Sequence, residues 1–254
     1  MTTMDPSTKL LDDLKQLREQ ARRRAHGGAW LPVALLAALL LASIALYRFP
    51  FVQINAVGTS TFWAGLPDVQ RSATASYAFW FLGTPLVIAL IAGWYHYRAR
   101  RVGVRLRLRW FVITALGALA ALAVLAAVPA PLPVDPQILS DTPPTTADLL
   151  PAGFSTPLLP VSLALVVLGW TERSRAVALS GAWVGLVAWW QCAMGMGHLT
   201  GPMTWVLGGF EGPALGGEFT LFGLNRPGPT LILMALPLVV FAVVRAVRTR
   251  GGSR

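Results

Sequence analysis

The sequence predicts an all-α, polytopic membrane protein with six transmembrane helices, N- and C-termini in the cytoplasm and an amphipathic juxtamembrane helix before the first span. Three observations carry this prediction. Of 254 residues, 55% are apolar and only 13% are charged, whereas soluble globular domains carry about 25% charged residues. The apolar residues gather in six runs, over 30–47, 77–97, 110–128, 154–170, 176–196 and 230–244, and no run contains Lys, Arg, Asp or Glu. The basic residues lie in alternate connections between those runs.

A helix needs about 20 apolar residues to cross the hydrocarbon of a bilayer, and one charge at its centre costs ~2.5–3.5 kcal/mol on insertion scales. The fourth run is the weakest, because Pro157 and Pro160 fall in it; both fit a first helical turn, where the missing N–H has no helical partner. Aromatic rings mark the ends of several runs, as they do at the headgroup level of a bilayer: Trp30 and Tyr47, then Trp94, Tyr95 and Tyr97, then Trp110 and Phe111. Eighteen of the 21 Lys and Arg residues lie in the N-terminal segment, 98–109, 171–175 and the tail after Val244. Only Arg48, Arg71 and Arg226 lie in the other three connections. Positive charge is retained on the cytoplasmic side, so both ends are placed inside, and removing any one span would put later basic connections on the wrong face. The first run exceeds the ~7–15 residues of a signal core and follows a polar segment, so it reads as an uncleaved anchor.

The chain divides into a basic cytoplasmic segment (1–28), a membrane domain (29–247) with three long outer loops (48–76, 129–153, 197–229) and a basic tail (248–254). In the first segment Asp5 and Pro6 form a helix start. Leu10, Leu14, Leu17 and Ala21 follow at helical spacing, and Arg22, Arg23 and Arg24 form a basic end that suits the helix dipole and an anionic lipid surface. The same face offers a docking surface for a cytoplasmic partner. Small residues at four-residue spacing allow close helix packing in lipid. They occur as Ala34, Ala38 and Ala42 in the first span, Gly117 and Ala121 then Ala123 and Ala127 in the third, and Gly181 and Gly185 in the fifth.

Loop 129–153 is proline-rich and extended in character. Loop 197–229 holds nine glycines and the aromatic and acidic residues Trp205, Phe210, Glu211 and Glu218, an outer binding surface in prospect. Loops of such length inside compact domains tend to be functional. Cys192, Met196, His198 and Met203, with Met194, are soft donors of the kind copper(I) prefers. Residues two apart point to opposite sides of a helix, so the set converges only if the helix unwinds near Gly195 and Gly197.

Other chemistries find little footing. The net charge of +10 is accounted for by orientation, so no nucleic-acid partner is expected. The lone Cys192 forms no intrachain disulfide. Phosphate-binding, dinucleotide, zinc-protease and serine-hydrolase motifs are missing from the sequence, so neither a cofactor nor enzymatic activity is expected. The candidate polar groups away from the ends of the runs are Ser43, Thr84, Thr114, Ser162, Ser180 and Gln191, and ion-coupled transport usually needs an ionisable group there. With only Lys9 and Lys15 among 21 basic residues and abundant Ala, Gly and Pro, the composition suggests a GC-rich bacterial source, hence the bacterial cytoplasmic (plasma) membrane.

The outline of N-terminal amphipathic helix, six spans and a basic cytoplasmic loop after the second resembles exporter-type ATP-binding-cassette permeases, although the outer loops 48–76 and 129–153 are longer than that pattern. The resemblance implies a permease subunit powered by a separate ATPase. The residues themselves favour a non-catalytic accessory, sensory or scaffold membrane protein whose partners are the bilayer and a cytoplasmic or membrane protein. Soft-metal binding is a third reading.

Overall fold

Helix formation follows from the runs of Leu and Ala, which lose little on entering a helix, and from the need of an apolar segment to satisfy its own backbone. The computed structural model describes residues 28–46, 73–102, 108–127, 156–193 and 228–251, and among them no strand occurs. The predicted N-terminal helix with Leu10, Leu14, Leu17, Arg22, Arg23 and Arg24 lies outside the described residues. So do Met194, Met196, His198 and Met203, most of the three long loops, and Trp205, Phe210, Glu211 and Glu218.

Six helical rods make up nearly all of the described residues. We label Trp30–Ala42 α1; it tightens into a 3₁₀ turn over Ser43–Leu46. α2 is an unbroken succession of Ala73–Ala78, a π-helical turn Phe79–Gly83 and Thr84–Val102. α3 is Arg109–Ala127, α4 Leu158–Thr171, α5 Arg175–Ala193 and α6 Gly228–Gly251. α4 and α5 form the most extensive pair, α1 lies along α6, and α3 lies along α4. One core unites them, with Leu36, Leu40, Trp80, Ile91, Phe111, Leu165, Leu168 and Leu238 all fully buried.

Two helices are long and apolar enough to cross a membrane: Thr74–Arg101, with 28 residues, and Gly228–Arg248, with 21. At ~1.5 Å per residue they extend about 42 and 31 Å, against about 30 Å of hydrocarbon. Trp30–Leu46, Arg109–Val124 and Leu158–Thr171 are shorter apolar helices.

The apolar runs and the helices differ at their ends. α2 begins at Ala73, inside the expected loop 48–76, and continues past Tyr97 to Val102, taking in Arg98, Arg100 and Arg101. Hydropathy stops at the first arginine, whereas the backbone does not, because arginines in the last turn stabilise a helix through its dipole. α6 likewise starts at Gly228, with Pro229 in its first turn, and runs through Arg248 into the expected tail.

The close approach of α4 and α5 depends on small side chains. A Cβ on Gly181 would lie 2.7 Å from the Val166 nitrogen and 2.8 Å from Leu165 Cβ, and one on Gly185 would overlap Ser162 Oγ. Ser162 Oγ instead donates to the Gly181 carbonyl at 2.8 Å. The alanine stripe of α1 sits differently: Ala34 is half-buried, Ala38 and Ala42 are exposed, and Val33, Leu36, Ala37 and Leu40 form the buried face. Four-residue spacing defines a stripe but not which way it turns, and the bulkier stripe beside it buries more apolar surface.

Pro237 stands inside α6. It brings no N–H to the carbonyl four residues back, that of Leu233. Trp183 of α5 donates its Nε1–H to that carbonyl at 3.2 Å, so a neighbouring helix supplies what the proline withholds. Trp183→Phe is expected to lower unfolding stability in detergent by roughly 0.5–2 kcal/mol. In a Pro237→Ala background, where the helix can satisfy Leu233 itself, most of that loss should vanish. Equal losses in both backgrounds, measured by denaturant unfolding, would rule out this exchange of donors.

Candidate functional site on the inward face of α2

The buried residues of α2 form a single line: Ser76, Trp80, Thr84, Ile88, Ile91 and Tyr95, at the three- and four-residue steps of one helical face. The line is polar at both ends and aliphatic between them. Its first part coincides with the π-helical turn Phe79–Gly83. Pro85 follows at once; its ring crowds the carbonyl one turn back and it donates no hydrogen bond, and widening the helix ahead of it relieves that conflict. π-Helical turns of this kind recur at functional sites.

Within that first part, Ser76 Oγ, Trp80 Nε1 and Thr84 Oγ1 are fully buried and meet no hydrogen-bond partner among the described residues. An orphaned buried polar group costs about 1–3 kcal/mol. Several other hydroxyls in the helices are provided for: Ser43 Oγ donates to the Leu40 carbonyl at 2.6 Å and Ser180 Oγ to that of Ala176 at 2.9 Å. The three unmet groups on one face comprise an indole donor on Trp80 and two hydroxyls that can serve in either role.

Tyr95, at the far end of the line, is hydrogen-bonded. Tyr95 Oη donates to Glu172 Oε1 at 2.5 Å. Glu172 is the one acidic residue among the described residues, and it is only 3% exposed. It caps α4 in a complete Schellman turn: Arg173 N–H donates to the Trp170 carbonyl at 3.1 Å and Ser174 N–H to that of Gly169 at 2.8 Å. The start of α1 joins the same cluster. Trp94 Nε1–H donates to the Gly28 carbonyl at 3.2 Å, Trp30 packs edge-on against Trp94 at 6.1 Å, and the Arg98 guanidinium lies where a Gly28 side chain would be. Three chain segments far apart in sequence are thus pinned at one end of the bundle. On the other side of the α4–α5 turn an open groove of about 930 Å³ is lined by Trp110, Trp170, Thr171, Arg173 and Arg175.

Sequence reasoning singled out Thr84 as a polar group in a span and Tyr95 as a boundary ring, but neither Glu172 nor Ser76. The signal for Glu172 was present: it is a lone acid in a turn otherwise basic, which in a charge tally counts only as dilution. Ser76 was hidden by placing the start of the second helix too late. Of the soft-metal set, Cys192 falls in the last turn of α5 and the rest lie outside the described residues; among the described residues no three His, Cys, Asp or Glu side chains come together.

Tyr95→Phe should reduce unfolding stability in detergent by about 1.5–3 kcal/mol, the range for a hydrogen bond to a charged or strongly polar partner. Thr84→Val should leave stability unchanged or raise it, because it removes an unmet hydroxyl; a loss above about 1 kcal/mol would show that Thr84 has a partner in the ligand-free protein. Compared with known proteins, the chain matches no protein-family model, no curated protein and no solved structure.

Proposed function

We propose that the chain is a six-span protein of the bacterial cytoplasmic membrane, with both termini inside, that acts without catalysis as a sensory or accessory subunit. The observation that carries this reading is the inward line of α2. It holds three unmet polar groups at one end and, at the other, the Tyr95–Glu172 contact that ties α2 to the α4–α5 turn. A polar ligand received near Trp80 shifts α2, and the pinned end carries the shift to the arginine-bearing connections.

The membrane setting is supported by helices that are apolar on both sides. Leu82, Leu86 and Leu90 of α2, Leu179 and Leu186 of α5, and Leu236, Val240 and Val247 of α6 are all exposed. Soluble monomers seldom present such continuous apolar surface. The orientation rests on the gathering of Gly28, Arg98 and Glu172 at one end, since the segments that meet there are three of the four basic ones.

A second reading, a permease subunit driven by a separate ATPase, draws on the continuation of α2 to Val102, which carries Arg100 and Arg101 beyond Tyr97 as a surface for a cytoplasmic partner. Purification in mild detergent separates the two. The sensory reading expects no nucleotide-binding subunit at fixed ratio; recovery of one would transfer the assignment to the permease. Reporter fusions at the two ends should both be active on the cytoplasmic side, and alkaline carbonate should leave the protein in the membrane pellet. Opposite locations for the ends would refute the six-span arrangement.

A further inference from the structure

The α4–α5 turn places Arg173 and Arg175 on one rim of the open groove, with Trp110 at the start of α3 and Trp170 at the end of α4 beside them. Arg173 adopts φ 52°, the one positive value at a non-glycine residue among those described. Glycine is the usual occupant of this position in a Schellman turn, because a Cβ is crowded there. The turn keeps an arginine in spite of that crowding, and the arginine lines the groove.

Among the described residues neither guanidinium meets an acid: Glu172 is the one acid there, and its carboxyl is turned inward to Tyr95. Apart from Thr171 and Ser174, the rest of the lining is apolar or aromatic. Val166, Gly169 and Ala178 are apolar. Trp170 is 71% exposed, and Leu163, two turns below it on the same face, is also exposed. Ile113 is exposed one turn below Trp110 on α3. Along α3 and α4, an indole near the arginine-bearing end is thus followed by an exposed aliphatic residue further along the helix.

We propose that this groove is a binding site for an anionic phospholipid. Arg173 and Arg175 hold the phosphate, Trp110 and Trp170 lie at the level of the glycerol, and the acyl chains run along Leu163 and Ile113. Basic recesses at the cytoplasmic ends of membrane helices are suited to such headgroups. A free phosphate would use the arginines but not the wall beneath them, which is why the lipid is the favoured occupant. The inference rests on the membrane reading above.

The test uses the full chain purified in non-ionic detergent at low salt, with thermal unfolding followed while phosphatidylglycerol, phosphatidylcholine or inorganic phosphate is added. Two arginines at roughly fivefold each predict that phosphatidylglycerol is preferred over phosphatidylcholine by about 10–30-fold. Arg173→Gly and Arg175→Gln should each reduce that preference about fivefold. Arg173→Gly suits the backbone, so its lipid-free melting temperature should equal or exceed that of the parent. Equal response to the two lipids, an unchanged preference in both variants, or a shift of the same size from millimolar phosphate would each overturn the proposal. Carbonate extraction keeps the two readings apart: a chain that remains in the membrane but shows no preference refutes the lipid site alone, whereas a chain released by carbonate refutes the membrane assignment.

Discussion

Backbone amides and carbonyls cannot be left unpaired where water does not reach, and this constraint governs the helices of this protein. Each rod satisfies its own backbone, which is why strands are missing among the described residues. The two places where proline breaks the rule show how the surroundings compensate. In α6 the carbonyl deprived by Pro237 is met by the indole of Trp183. In α2 the helix itself changes, widening into a π-helical turn just ahead of Pro85. The first solution is a contact between helices and adds to the bundle. The second is local and leaves a segment whose side-chain polar atoms are unmet.

The α4–α5 hairpin is the most extensively packed pair in the arrangement. Gly181 and Gly185 let the two backbones approach, Ser162 bonds across the seam, and a Schellman turn closes the end. The same turn delivers Glu172 to one side, where Tyr95 engages it, and Arg173 to the other, where the groove opens. A single tight turn therefore serves both a buried contact and a charged rim, because successive residues at a helix C-terminus point in different directions.

Much of this fold was legible in the sequence, and for a simple reason. Runs such as 30–47 and 110–128 have one helical outcome, and α1 with its 3₁₀ turn and α3 follow them within a residue at each end. The ends of α2 and α6 were less legible, because charge stops an apolar run without stopping a helix. The direction of the Ala34, Ala38 and Ala42 stripe could not be read at all: when every face of a helix is apolar, periodicity no longer identifies the inner one, and only the partners decide. The candidate site was hidden for the same reason. Ser76, Trp80 and Thr84 align only once the inward face of α2 is known, and Glu172 gains meaning only beside Tyr95, 77 positions away in sequence.

The two isoleucines in the middle of the α2 line have a consequence for how its ends communicate. From Thr84 to Tyr95 the helix rises about 16 Å, and Ile88 and Ile91 fill the inward face over that distance without a hydroxyl, amide or acid. Protons cannot hop across such a gap along this face, and side chains there offer no relay of hydrogen bonds. Under the sensory reading proposed above, coupling between the two ends is therefore mechanical, by tilt, rotation or sliding of the rod.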